Sequence, residues 1–249
     1  MFSKTTVKHI RSLRIKKYRN LHREFVAEGS KLVQELLHSH FECRGIYSTE
    51  QWNLRNKPIS KSVVIKNKEM EQISSMTSPE GILGVFKIPA YSFSPGILTT
   101  DLVLALDGIS DPGNLGTIIR TADWFGFRHL ICSENCVDLY NPKVVQATMG
   151  SIARVKIYYE NLEDILKNPG KNVPVLGTLL VGENITTLPA IQNGIVVIGN
   201  ESRGISPGVL KYLTQKISIP SPVHDPHAES LNAASAAAIV CFSLRQKAQ

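Results

Sequence analysis

The chain has 249 residues, 43% of them hydrophobic and 20% charged, long enough for a sizeable core and unlike a collagen, low-complexity or disulfide-scaffold composition. Lys and Arg number 28 against 21 Asp and Glu, a formal net charge of +7, and the surplus is confined: residues 1–95 carry 16 basic and 8 acidic side chains, residues 96–249 carry 12 and 13. Such an excess marks the first part as the one expected to meet a polyanion, because neutralising phosphates releases counterions.

Cys43, Cys132, Cys136 and Cys241 are scattered without the C-x-x-C spacing of a zinc or dithiol site, and read as reduced structural thiols. No run reaches the ~18 apolar residues of a membrane span, and no apolar signal-peptide core opens the chain. A soluble, cytoplasmic protein is expected. The first 23 residues hold eight Lys or Arg and no acid, a bias shared with transit peptides, but the pattern runs unbroken into a structured segment.

From Lys8 to Leu37, apolar residues recur at helical intervals (Ile10, Leu13, then Leu32, Val33, Leu36, Leu37), predicting two helices separated near Phe25 to Gly29. "GIYS", "SVVIK" and "GILGVFKIP" read as strands of a small sheet. Residues 1–92 thus form one small α/β unit, and the aperiodic "AYSFSPGILTTD" separates it from a second domain over 98–249. There, buried apolar runs alternate with helical patterns, which predicts an α/β fold with a doubly wound parallel sheet. Asn114 and Asn141 are expected helix N-caps, Pro142 and Pro207 first helical residues, and Gly126 a helix stop.

Ligands of open parallel sheets lie beyond the carboxyl ends of the strands, so the loops after the apolar runs carry the argument. "LDGISDPGNLGTIIR" (106–120) has neither G-x-G-x-x-G order nor G-K-[ST], which removes the main support for nicotinamide or nucleoside triphosphate. Arg120 lies about 140° from Leu115 at 100° per residue, away from the buried stripe, where spacing alone gives a solvated cation. In "VVIGNESRGIS" (196–206) Glu201 alone reads as a surface carboxylate, open to pairing with Arg203. In "ISIPSPVHDPHAESLNAASAAAI" (217–239), His224, Asp225 and His227 lack the H-E-x-x-H spacing and a further ligand, so no metal is expected.

Together, in this order and separation, the three loops resemble the motifs of the SpoU/TrmH family of RNA 2′-O-ribose methyltransferases in the SPOUT superfamily. "GNLGTIIRTADWFG" is similar to its first motif, "IGNESRGIS" to its second and "SIP…ESLNAASAAAI" to its third. "RNLHREFVAEGSKLVQELL" resembles the substrate-binding domain of the longer members, a small ribosomal-protein-like α/β fold. The resemblance implies a SPOUT-type domain with a C-terminal deep trefoil knot, an exception to the rule against threaded chains.

It further implies S-adenosyl-L-methionine as methyl donor, bound at Thr178, Leu179, Gly199, Ile219 and Leu231, and catalytic or structural roles for Asn114, Arg120, Glu201, Ser230 and Asn232. Homodimers with sites assembled across the interface are typical of such proteins. Three departures touch the third motif: Ser221 stands where Met is usual, Pro226 where Gly is usual, and the loop is about three residues longer.

Methyl transfer to a hydroxyl needs alignment and relief of a proton, but no metal. A guanidinium rarely gives up its proton, so Arg120 is expected to bind the adjacent phosphate and stabilise charge on the 2′ oxygen. Lys8, Arg11, Arg14, Lys16, Lys17, Arg19 and Arg23 are the expected RNA phosphate contacts, and the 2′-hydroxyl excludes DNA as a substrate. Ribosomal RNA is the expected substrate. Transfer RNA is the alternative within the class, and an RNA-binding module without catalysis the alternative outside it.

Overall fold

The computed structural model describes residues 2–221 and 229–246. In chain order the elements are α1 (Lys4–Ser12), α2 (Lys16–His22), β1 (Glu24–Glu28), α3 (Ser30–Leu37), β2 (Cys43–Thr49), α4 (Glu50–Arg55), β3 (Val63–Ile65), α5 (Asn67–Ile73) and β4 (Ile82–Lys87). They continue with β5 (Leu102–Asp107), α6 (Pro112–Trp124), β6 (His129–Ser133), α7 (Pro142–Ala147), β7 (Lys156–Glu160), α8 (Leu162–Lys167), β8 (Val175–Asn184), β9 (Gly194–Gly199), α9 (Pro207–Leu210), β10 (Gln215–Ser218) and α10 (Ala233–Gln246). Two compact units result: residues 1–90 with 138–154, and residues 91–137 with 155–249.

The first unit is built on a sheet of order β1-β4-β2-β3, in which only β2 and β3 run parallel. Ile10 and Leu13, with Met70 and Ile73 of α5, pack on Val26, Ile65, Leu83 and Val85. The predicted helix pair differs from what forms. The basic helix breaks after Leu13, and α2 ends at Arg23 in the left-handed region (φ 55°). Phe25–Glu28 lies in strand β1, because its backbone pairs with Leu83–Phe86 of β4, a long-range partner that local periodicity does not contain.

Residues 138–154 belong to this unit through specific contacts. Asp138 receives the Arg19 guanidinium, the Tyr140 ring lies 4.7 Å from that of Phe25, and Arg154 pairs with Glu35 at 2.6 Å.

The second unit is a six-stranded sheet of order β10-β8-β9-β5-β6-β7, and every pairing in it is parallel. Such strands are covered on both faces and so read as unbroken apolar runs. Val103, Ala105, Ile131, Val175, Ile195 and Val197 point to one face, where Leu162 and Leu166 of α8 and Val209 of α9 cover them. The alternate residues Leu104, Leu106, Leu130, Val196 and Ile198 are also buried, on the face of α6 and α10. Gly126 does stop α6, with φ 73°, and Asn141 caps α7 through Lys143 N. Among the described residues no helix is long and apolar enough to cross a membrane, and the four cysteines are unbridged.

Candidate active site

Strand β5 lies between β6 and β9, so the chain leaves it to one side and later returns on the other. The loops after β5 and β9 part at such a switch point, where open α/β sheets hold their ligands. Both loops are tied down. Buried Asp107, the last residue of β5, accepts from Ser206 N at 2.7 Å, and Gly108 N donates to Ser133 Oγ at 2.8 Å.

Asp111, not Asn114, caps α6: its Oδ1 accepts from Asn114 N at 2.8 Å, and Pro112 takes the first helical position. A Pro there wastes no donor, which is why the cap falls one residue before it. Asn114, one turn in, is left free to reach sideways. Its Nδ2 donates to Glu201 Oε1 at 2.9 Å, and its Oδ1 accepts from Asn232 Nδ2 at 3.0 Å. Asn232 in turn caps α10, its Oδ1 accepting from Ala234 N at 2.9 Å and Ser235 N at 3.3 Å. One chain of side-chain amides and a carboxylate thus joins the loops that carry all three sequence motifs.

Glu201 is the hub. Besides Asn114 it accepts from Ser110 N (3.3 Å), Ser110 Oγ (3.2 Å), Asp111 N (3.3 Å) and Asn200 Nδ2 (3.2 Å). Burial pushes its carboxyl upward, but the Asn114 amide and the backbone N–H groups of Glu201, Asp111 and Ser110 outweigh it and hold the group below the ordinary carboxylate value. A paired surface carboxylate is therefore not what forms: no Arg203–Glu201 ion pair occurs among the described residues. Sequence reasoning missed Ser110, Asp111 and Asn200 as its partners. The Asp-Pro cap signature could have found Asp111.

Arg120 is exposed on α6 with no hydrogen bond or ion pair among the described residues, so its guanidinium faces solvent available to an anion. Ser230 is exposed, and no hydrogen bond joins it to this lattice among the described residues.

Gly199 ends β9 under compulsion. A Cβ there would lie 2.3 Å from the carbonyl carbon of Gly204 and 2.4 Å from Ile205 N, because the turn 200–204 folds back on it through Asn200 N–Gly204 O (2.9 Å) and Gly204 N–Asn200 O (3.0 Å). Thr178 and Leu179 lie where β8 leaves the ladder. Gly177 pairs with Lys216 and Glu183 with Ile217, so residues 178–182 bulge out, and β8 meets β9 only as far as Gly177. Thr178 Oγ1 donates to Val197 O at 2.9 Å, and the Leu179 side chain packs on the core. Ile219 is half-buried after β10, and Leu231 is exposed.

Apolar side chains and the main chain of residues 178–182, outside the β8–β10 ladder, thus lie side by side here. His224, Asp225, Pro226 and His227 lie outside the described residues. Among the described residues no group of three or more His, Cys, Asp or Glu could hold a metal.

Of the seven basic residues expected to meet RNA, Lys8, Arg11, Lys16 and Lys17 are exposed. Arg14 donates to Ser74 O, and Arg23 to Pro89 O at 3.4 Å. Arg19 requires correction. It is 2% exposed, its Nη1 donates to Leu13 O at 2.8 Å, and Nε and Nη2 grip Asp138, so it fastens α2 and is closed to phosphate.

The parallel-sheet unit that carries this lattice is that of an RNA methyltransferase. Residues 101–242 match the SpoU rRNA Methylase family, and the chain belongs to it. Residues 4–84 match the MRM3-like substrate binding domain. The chain is 29% identical to the 23S rRNA (guanosine(2553)-2′-O)-methyltransferase RlmP of Bacillus subtilis, over 96% of this chain and 95% of that one. Among solved structures it is similar to a TrmH-family protein from Porphyromonas gingivalis, with 38% identity, a TM-score of 0.88 and 99% of each chain covered. It is also similar to an AdoMet-bound rRNA methyltransferase from Sinorhizobium meliloti, with 31% identity, a TM-score of 0.83, and 98% and 96% covered.

Proposed function

We propose that this chain transfers the methyl group of S-adenosylmethionine to a ribose 2′-hydroxyl of ribosomal RNA. The observation that carries the reading is the Asn114–Glu201–Asn232 lattice at the switch point, with the unpaired Arg120 on the same helix as Asn114. Likeness to the Bacillus 23S rRNA enzyme along nearly its whole length favours ribosomal over transfer RNA.

When bound, S-adenosylmethionine supplies an electrophilic methyl carbon on a positively charged sulfur. Thr178, Leu179, Gly199, Ile219 and Leu231 would hold it, the first two through main-chain groups that the bulge 178–182 releases. Arg120 is assigned to the phosphate beside the target ribose and to negative charge building on the 2′ oxygen. Glu201, ionised and saturated with donors, fixes the two loops around that oxygen rather than accepting its proton. Ser230 and Asn232 are assigned to shaping the third loop. The 2′ proton leaves to phosphate or water.

The same reading includes the trefoil knot, supported by the return of the segment after β10 to bond Asn114. It includes a homodimer too, supported by two exposed apolar side chains on the packed pair α6 and α10, Trp124 at 84% and Phe242 at 49%. A monomeric mass by light scattering would end the dimer assignment. The cytoplasm is the expected place of action.

The test pairs calorimetric titration of the protein with S-adenosylmethionine and mapping of 2′-O-methyl groups in ribosomal RNA from cells with and without the gene. Donor binding together with loss of one ribose methylation is expected. Absence of both sinks the reading.

A further inference from the structure

Helix α2 presents an apolar face in the most basic segment of the chain. Ile15, at its N-cap, is 55% exposed, Leu21 68% and Tyr18 36%. Exposing three large apolar side chains on so short a helix is costly unless something covers them. The face is also rigid. Arg19 anchors the helix through Asp138 and Leu13 O, and Arg23 N closes it on Arg19 O. At about 100° per residue, Lys17 and Leu21 lie about 160° to either side of Arg19, and Tyr18 about 100° from it. The apolar side chains therefore line one flank of the helix and the exposed Lys16, Asn20 and Lys17 the other, meeting where Lys17 adjoins Leu21 about 40° away, and no acid occurs before Glu24.

A duplex offers phosphates but keeps its base faces stacked away, so it fits the cations and leaves Tyr18 and Leu21 bare. An RNA loop offers both phosphates and open base faces, and aromatic side chains take such faces without regard to sequence. We propose that the α2 face binds an unpaired loop of the RNA substrate, with a base stacked on Tyr18, its neighbours against Ile15 and Leu21, and flanking phosphates on Lys16 and Lys17. This deepens the proposed function, and rests on it, by naming the form of RNA that the first unit captures.

The test uses the full-length protein and three fluorescent probes: an RNA hairpin with an eight-nucleotide loop containing 2-aminopurine, a fully paired RNA of equal length, and polyglutamate. Wild-type protein is expected to prefer the hairpin and to quench the 2-aminopurine. Tyr18→Ala, with an unchanged melting temperature, should weaken hairpin binding about tenfold and abolish the quench while leaving duplex binding unaltered. Tyr18→Phe should behave as wild type.

The proposal is overturned if Tyr18→Ala binds the hairpin like wild type, or loses hairpin and duplex equally. It is overturned as well if polyglutamate binds as tightly as the hairpin and shares the Tyr18 dependence, which would mark a docking face for an acidic protein. Wild-type protein that binds neither RNA overturns the proposed function along with this inference, so the two failures are told apart.

Discussion

At the scale of single residues, Arg120 and Glu201 divide the work of the site, and the division is measurable. Arg120 is bonded to nothing among the described residues, so its removal should not unfold anything. Arg120→Ala should leave the melting temperature within about one degree and donor affinity intact, while lowering kcat at least 100-fold, the range for losing a group aimed at developing charge. Arg120→Lys keeps the charge without the bidentate fork and should recover part of it. Equal loss of donor binding and of kcat in Arg120→Ala would move the residue out of the role assigned here.

Glu201 behaves oppositely, since its oxygens satisfy donors from two loops. Its carboxyl is held below the ordinary 4.5, so the stabilisation it gives is complete above that value and is lost as the pH falls through the folded one. Glu201→Gln cannot ionise. It should be less stable than the native chain at neutral pH, with the gap closing as the pH drops below 4.5; denaturation curves across that range read it directly.

At the scale of elements, the parallel strands and their loops were legible because each buried strand is an unbroken apolar run, and the chemistry follows it. "VVIGN" and "LALDG" give β9 and β5 at sight. What the sequence hid were relations between distant segments. Phe25–Glu28 reads as a helix boundary until β4 pairs with it, and Asn114 reads as a cap until Asp111 takes that place. Glu201 reads as a surface carboxylate until Ser110 and Asn114, some ninety residues earlier, close on it.

Gly199 is where sequence and packing agree most tightly, since only hydrogen fits between β9 and the turn that carries Glu201. Gly199→Ala should cost about 1–3 kcal/mol by overpacking and displace that turn, so donor binding falls along with stability. Gly96→Ala, with no atom nearer than 3.8 Å to the added carbon and no positive φ, is the control expected to be near neutral. Chemical denaturation and donor titration on both variants separate the two.

At the scale of the whole molecule, the uneven charge predicts how the protein meets RNA, and the structure sorts the basic residues by task. Lys8 and Lys17 are exposed with no partner among the described residues, whereas Arg19 is almost wholly buried against Asp138. A cation that releases counterions contributes to the slope of log affinity against log salt, roughly one unit for each phosphate contact. Lys8→Ala and Lys17→Ala should each reduce that slope by about one while leaving the melting temperature unchanged.

Arg19→Ala should do the reverse. Stripping one partner from a buried ion pair leaves the Asp138 charge uncompensated and costs on the order of 3 kcal/mol. Under conditions where the Arg19→Ala protein is still folded, its salt slope should match the native one. A slope reduced by one would mean that Arg19 leaves Asp138 for a phosphate when RNA arrives, and the pair would then be a latch on the RNA face rather than a fastening within the fold.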